Sequence, residues 1–406
     1  MLCQFTVKNF QCFLNETTLD MQATNLTEHK NSLLTDVDNE VFLPLAAIYG
    51  PNGAGKSTIL YAFYSLACKI MRPICAVSSN EDKCETNCAN ITIKPFKFSK
   101  SSINQPTSYQ LFFRTHLYEY QYDLSVLNEK VVYEELSKKL LEGARYTPVF
   151  KRDIKAGIEL KGSLKGYSSE GISDNLTLLS YLGITHGRNK IIKDIIDWFQ
   201  EDVKFLNYSN PKEEVNIAVT ERKGIKDMLL KMLQEMDIDI IDYRVEEKEK
   251  KLKVFTSHLV EGHKYELDLF EESKGTIKIF GFLPFIADSL VNGKTLVVDE
   301  LDAKLHPLLL KYIIQLFTNP SVNKHKAQLI FTSHDLSTMN NEIFRRDEIW
   351  FVAKGRDLAS KMYSLVEFKD DEGKSERKDA SYNKRYLQGR YGADPYLRKI
   401  IDWEAI

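Results

Sequence analysis

The run Gly50-Pro51-Asn52-Gly53-Ala54-Gly55-Lys56-Ser57-Thr58 constrains this chain more than any other. It fits the pattern G-x-x-x-x-G-K-[ST]. An apolar run before it, Phe42 to Ile48, reads as a strand, and Ile59-Leu60-Tyr61-Ala62-Phe63 after it reads as the start of a helix. The glycines let backbone N–H groups turn inward around phosphate oxygens. The helix that follows points its positive end at them. Asn52, Gly53, Ala54, Gly55, Lys56, Ser57 and Thr58 thus line a phosphate site, with Lys56 bridging the β- and γ-phosphates and the Ser57 hydroxyl on Mg²⁺. An ordinary glycine-rich turn is the competing reading, and pattern plus context weigh against it.

A second cluster says more than "nucleotide". Thr295-Leu296-Val297-Val298-Asp299-Glu300 is a short apolar run ending in two acids, as in a central strand buried on both faces. An Asp at such a strand end can hold the Mg²⁺ shell, so Asp299 joins Ser57 as a metal ligand. The adjacent Glu300 is placed to polarise an attacking water, work that needs a carboxylate within one hydrogen bond of the nucleophile. Two acids that merely end a strand are the plainer alternative, which the phosphate loop disfavours. Gln328–Phe331, leading to Thr332-Ser333-His334-Asp335, and Glu348–Val352 read as further buried strands, with a helix from about Pro307 to Phe317 between. Alternating strand and helix predict an α/β fold with a doubly wound, mainly parallel core sheet.

The N-terminal part reads as β structure. Cys3, Phe5 and Val7 alternate, and Leu19 and Met21 continue a hairpin partner. Ile91, Ile93, Phe96 and Phe98 signal strand again, and Tyr109–Phe113 and Tyr118–Leu124 read as a pair. Tyr118, Tyr120 and Tyr122 form a ladder that could stack bases, but cross-strand packing is the simpler account. A helical connection over Ser168–Gly187 follows, then helix faces of Ile192, Ile195, Ile196, Phe199 and Val203, and of Ile225, Met228, Leu229, Met232, Leu233 and Met236. Strands are expected at Ile238–Val245, Leu252–Thr256 and Tyr265–Leu269, with Glu246–Lys251 a solvated hairpin tip between the first two. No heptad run is long enough for a coiled-coil arm.

A formal net charge of −2 gives no global basicity that would advertise nucleic acid, though a local patch stays open. Lys384, Arg385, Arg390, Arg398 and Lys399 are its candidate members, against a solvated or packed tail. The chain does not open on a basic stretch followed by an apolar one, and no apolar run reaches membrane-spanning length. A cytoplasmic location with no membrane partner is expected. Cys68, Cys75, Cys84 and Cys88 fall close together, but only the last two form a close pair, so reduced thiols are favoured over a structural zinc.

These motifs together resemble the ABC-type ATPase superfamily, in its RecF, SMC and OLD-like branch. Asp299-Glu300-Leu301-Asp302 with Leu305-His306-Pro307 looks like its Walker B and D-loop. Ser273-Lys274-Gly275-Thr276 resembles the S-x-G-T signature loop, and Thr332-Ser333-His334-Asp335 the switch-histidine loop. The opening Phe5–Phe13 is similar to the N-terminal strand with its N-F-x-x-F turn. The resemblance implies ATP and Mg²⁺ as cofactors and hydrolysis of ATP to ADP and phosphate. Catalytic roles are implied for Glu300 and for His334, the latter on the γ-phosphate in cis. Ser273 and Gly275 would touch the γ-phosphate of a second copy, with Asp302 at the interface, so that a homodimer or higher oligomer closes on ATP. The implied architecture is an ATPase head with an N-terminal antiparallel β lobe and phosphate loop at 1–154, a mainly helical insertion at 155–255, and a C-terminal lobe with the remaining loops at 256–406. Gln105 and Gln110 are the candidates for the Q-loop glutamine.

A narrower resemblance lies in Arg385–Ala393 followed by Pro395, with Arg345–Phe351 upstream. These segments look like the ATP-binding proteins of bacterial phage-defence operons, including abortive-infection, RloA-like and PARIS-like systems. They imply a separately encoded effector, a nuclease or toxin. A RecF-like repair ATPase that binds DNA is the alternative. A fused nuclease is a third reading, but only about seventy residues follow His334, at the low end of domain size, and Asp370-Asp371-Glu372 reads as a loop.

Overall fold

In the computed structural model, which describes residues 1–77, 91–207, 220, 222, 224–248, 251–303, 305–369, 373, 375–377 and 379–393, period-two alternation builds the first layer. Cys84, Cys88, Glu249, Lys250, Asp370, Asp371, Glu372, Pro395, Arg398 and Lys399 lie outside the described residues. β1 (Leu2–Lys8) pairs antiparallel with β2 (Thr17–Asp20). β3 (Leu34–Thr35) and β4 (Val41–Phe42) form a small ribbon, and β5 (Leu45–Tyr49) is wholly buried. α1 (Lys56–Val77) follows the glycine-rich loop. β6 (Thr107–Arg114), β7 (Tyr118–Leu127), β8 (Lys130–Leu140), β9 (Thr147–Asp153) and β10 (Gly157–Leu160) then extend the first sheet. Its order is β10-β9-β8-β7-β6-β1-β2, antiparallel throughout.

The tyrosine ladder is packing. Tyr120 and Tyr122 are fully buried, and Phe113 stacks on Tyr120 at 5.2 Å and on Trp198 at 4.2 Å. The alternation at 91–98 makes no strand. Side chains take the backbone donors there: Ile93 N–H donates to Glu129 Oε1 at 3.0 Å and Phe96 N–H to Asn9 Oδ1 at 3.1 Å.

α2 (Leu178–His186) and α3 (Lys190–Asp197) pack against α1, directly or through each other. Ile192, Ile195 and Ile196 are the buried face of α3. A π-helical turn, Trp198–Asp202, ends that run, so Val203 opens β11 (Val203–Asn207) and does not extend the helix face. α4 (Ile225–Glu235) precedes a three-stranded antiparallel sheet of β12 (Asp242–Lys248), β13 (Lys251–Val260) and β14 (His263–Asp268). The remaining elements are α5 (Lys274–Asn292), β15 (Thr295–Asp299), α6 (Pro307–Thr318), β16 (Gln328–Thr332), β17 (Ile349–Lys354), β18 (Ser360–Ser364) and α7 (Tyr382–Leu387). The core sheet has the order β11-β15-β16-β5-β17-β18, parallel except for β18 at its edge. The fold is therefore α/β, an antiparallel N-terminal sheet on a mainly parallel core. Residues 155–255 supply α2, α3 and α4, and also β10 of the first sheet, β11 of the core sheet, β12 and the start of β13.

Alternation in the core strands sorts side chains between two clusters. Ala46 and Ile48 of β5 face α1 and the first sheet, while Leu45, Ala47 and Tyr49 face α4, α5 and α6. α1 lies between the sheets with Ile59, Phe63, Leu66 and Ile70 buried, and the Phe63 ring stands 5.0 Å from Phe5 and 5.1 Å from Phe205. Burying one such ring contributes about 1.5–3 kcal/mol. By length and composition α1 could cross a membrane, contrary to the expectation from sequence, where Lys69 and Arg72 interrupt the run. Its burial between two sheets makes it a core helix.

Candidate functional site

The loop after β5 turns through Gly50, Gly53 and Gly55, at φ 154°, 73° and 114°. Close approach requires two of these glycines. A Cβ on Gly50 would stand 2.4 Å from Val352 O, and one on Gly55 2.6 Å from Cys12 Sγ. The back of the loop is pinned: Ser360 Oγ donates to Ala54 O, and Ala54 N–H to Pro51 O at 3.2 Å. The front is open, with Asn52, Gly53 and Ser57 exposed and Thr58 half-buried. Among the described residues the N–H groups of Gly53, Gly55, Lys56 and Ser57 meet no acceptor. Unsatisfied donors at a helix start make an anion site. Lys56 Nζ donates to Gly50 O at 2.9 Å and Pro51 O at 3.3 Å. Burial lowers its pKa, against the pull of Asp299, Asp302 and Glu300.

The sheet order brings the acids here from far along the chain. β15, β16 and β5 are neighbours and parallel, so their C-terminal ends share one edge. Ser57 Oγ donates to Asp299 Oδ1 at 2.9 Å. These two oxygens fit Mg²⁺, which takes one or two protein ligands and completes its shell with waters and substrate phosphate. Glu300 is half-buried at φ 54°, a left-handed conformation. Thr332 Oγ1 donates to Asp299 Oδ1 at 2.6 Å and accepts Glu300 N–H at 2.7 Å. His334 N–H donates to Asp302 Oδ2 at 3.1 Å, while Asp302 Oδ1 is buried without a partner among the described residues. Partial desolvation and the Lys56 ammonium lower the His334 pKa, opposed by Asp302, Glu300 and Asp299.

Lys56, Ser57, Asp299, Glu300, Asp302 and His334 are thus brought together. Ser273 caps α5, its Oγ accepting Thr276 N–H at 3.1 Å. Ser273 and Gly275 are exposed and make no hydrogen bond to residues 50–58 among the described residues. Gln110 Nε2 is committed to Asp123 at 2.7 Å, and the exposed Gln105 gives its carbonyl to Asn9. Cys68 is buried on α1, and the described residues hold no group of three or more His, Cys, Asp or Glu arranged for a metal. Arg385, read as part of a basic patch, is paired with Glu376. Ser360, which holds the loop through Ala54 O, carries no signal in the sequence because its partner follows from how the strands pack.

Residues 45–340 match the family described as "AAA domain, putative AbiEii toxin, Type IV TA system". The chain belongs to this AAA family. The match takes in the phosphate loop, both acids and His334. Among solved structures, the chain is similar to the SMC head domain from Thermotoga maritima, at 14% identity over 89% of this chain and 98% of that one, with a TM-score of 0.41. It is similar to the Pyrococcus furiosus Smc head domain with an extended coiled coil bound to the C-terminal domain of ScpA, at 11% identity, 89% and 96% coverage and TM-score 0.38. It is also similar to cbiO1 of Clostridium perfringens, part of the ABC transporter complex cbiONQ, at 11% identity, 86% and 85% coverage and TM-score 0.31. No curated protein matches significantly. As an AAA family member whose phosphate loop follows a buried parallel strand, the chain has an α/β P-loop fold with a nucleotide site, which Mg²⁺ typically accompanies.

Proposed function

We propose that the protein binds and hydrolyses ATP between two copies of itself, and that closing and opening of this pair controls a separately encoded nuclease or toxin in defence against phage. One observation carries the reading. Lys56, Ser57, Asp299, Glu300 and His334 converge, while Ser273 and Gly275 stand exposed with no bond to their own loop. A second copy's signature loop completes such a site.

The chain's own groups divide the work. Loop N–H groups and Lys56 bind and orient the phosphates. Mg²⁺, held by Ser57 and Asp299, would neutralise charge on the β- and γ-phosphates. Glu300 accepts a proton from the attacking water. His334 contacts the γ-phosphate through a ring N–H. ATP then joins two subunits, provided the closed pair binds it better than the open one. The family description, with its toxin–antitoxin system, supports the defence role, as does the resemblance of 385–393 to defence ATPases. That role belongs in the cytoplasm.

Glu300→Gln is expected to slow phosphate release by about 10²–10⁴-fold and to prolong an ATP-bound dimer seen by light scattering. Lys56→Ala is expected to prevent that dimer. Hydrolysis at the wild-type rate in Glu300→Gln would refute the role given to Glu300. An effector that co-purifies with the ATP-locked variant supports the defence reading. DNA binding that needs ATP and falls steeply with salt would replace it with the repair reading.

A further inference from the structure

The strand between the two halves of the site carries a side chain with no assigned task. β16 lies between β15 and β5, and Thr332 at its end is fully buried. Its hydroxyl donates to Asp299 Oδ1 at 2.6 Å and accepts Glu300 N–H at 2.7 Å. Its carbonyl accepts Leu301 N–H at 3.1 Å, and two residues on His334 N–H reaches Asp302 Oδ2 at 3.1 Å. Each residue from Asp299 to Asp302 is therefore held by the segment 332–334.

The hydroxyl's roles are fixed by its single proton. An ionised Asp299 can only accept, so that proton goes to Asp299 and a lone pair is left for Glu300 N–H. Glu300 stands at φ 54°. A left-handed backbone is strained for a non-glycine residue and persists only where its surroundings hold it. The bond from Glu300 N–H to Thr332 is part of that hold. Asp299 Oδ1 also accepts Ser57 Oγ at 2.9 Å, so the carboxylate oxygen that meets Ser57 is the one that Thr332 holds.

We propose that Thr332 is a positioning residue for both acids. One hydroxyl sets the Asp299 carboxylate for the divalent cation and fixes the turn from which Glu300 reaches the water. This rests on the ATPase reading above. It requires that loss of the hydroxyl weakens metal binding and turnover together.

Full-length Thr332→Val keeps the β-branched shape and removes the hydroxyl, and Thr332→Ser keeps the hydroxyl. Thr332→Val is expected to lower kcat about 10–100-fold and to leave KM for ATP within about twofold. Mn²⁺ binding to the ADP-bound protein, followed by electron paramagnetic resonance, is expected to weaken about tenfold. Thr332→Ser restores both. Thr332→Ala, a second hydroxyl-free variant of different shape, is expected to match Thr332→Val if the hydroxyl is what matters. A residue with only a structural role would lower the melting temperature and leave Mn²⁺ affinity unmoved, and that result overturns the proposal. Should the wild-type protein bind nucleotide but release no phosphate from ATP, the ATPase reading falls, and the Mn²⁺ titration still decides Thr332 by itself.

Discussion

His334 carries a charge state set by its neighbours. Partial desolvation and the Lys56 ammonium push its pKa down, and the three nearby carboxylates only partly restore it. An unfolded chain takes up this proton near pH 6.5, and the folded chain takes it up lower. Between the two values the unfolded state binds more protons, so stability rises with pH there. The contribution is fully present above the ordinary histidine value and is lost as pH falls through that window. His334→Gln is therefore expected to flatten the melting temperature's dependence on pH just below pH 6.5. An unchanged slope would count against the assignment. Gly50 is limited by space instead. The Cβ of Gly50→Ala would meet Val352 O at 2.4 Å, a backbone atom that cannot swing aside. Forcing β5 and β17 apart is expected to cost about 1–3 kcal/mol in urea unfolding and to abolish binding of a fluorescent nucleotide.

Elements with a strong local signal were legible, and those defined by their partners were not. β5, β15 and β16 are short apolar runs because both their faces are buried, and the loop and acids sit at their ends. β8 and β9 mix Glu135, Lys138 and Lys151 into their faces, so pairing with β7 and with each other defines them more than period does. Val203 keeps the helical spacing of Ile192, Ile195 and Ile196, and only the π-helical turn at Trp198–Asp202 shows that a strand begins there. The two terminal motifs resembling defence ATPases turn out to be one packed unit. Phe351 of β17 stacks on Tyr391 at 4.9 Å and on Tyr386 at 5.6 Å. Buried Glu376 ties the unit together: its carboxylate accepts from Arg385 and from Tyr391 OH, and its carbonyl accepts from Arg346. Glu376→Ala keeps the carbonyl that Arg346 meets but leaves Arg385 and Tyr391 OH without their carboxylate, and is expected to destabilise the fold by about 3 kcal/mol. Thermal unfolding reads this directly, and a loss under 1 kcal/mol, roughly the worth of an exposed pair, would show that the unit is held by aromatic packing alone.

At the scale of the whole molecule, the exposed Ser273–Gly275 cap, which makes no hydrogen bond to the phosphate loop among the described residues, is what the proposed pairing of two copies would use. In the proposed two-fold pair each copy would offer both patches, giving two composite sites, each of one phosphate loop and the other copy's Ser273–Gly275 segment. This makes a prediction that a site within one chain does not share. Lys56→Ala disables a phosphate loop, and Ser273→Arg places a bulky charge where the γ-phosphate of the partner would lie. Each variant alone leaves no intact composite site. A mixed pair holds one dead site, made of the two altered parts, and one intact site, made of the two unaltered parts. Random pairing at equal amounts makes about half of all pairs mixed, with one working site of two, so about a quarter of the wild-type rate should return. If ATP were hydrolysed within a single chain, mixing would restore nothing, because every chain carries one disabling change. Phosphate release measured across a series of mixing ratios separates the two, and a peak near equal amounts is the expected outcome.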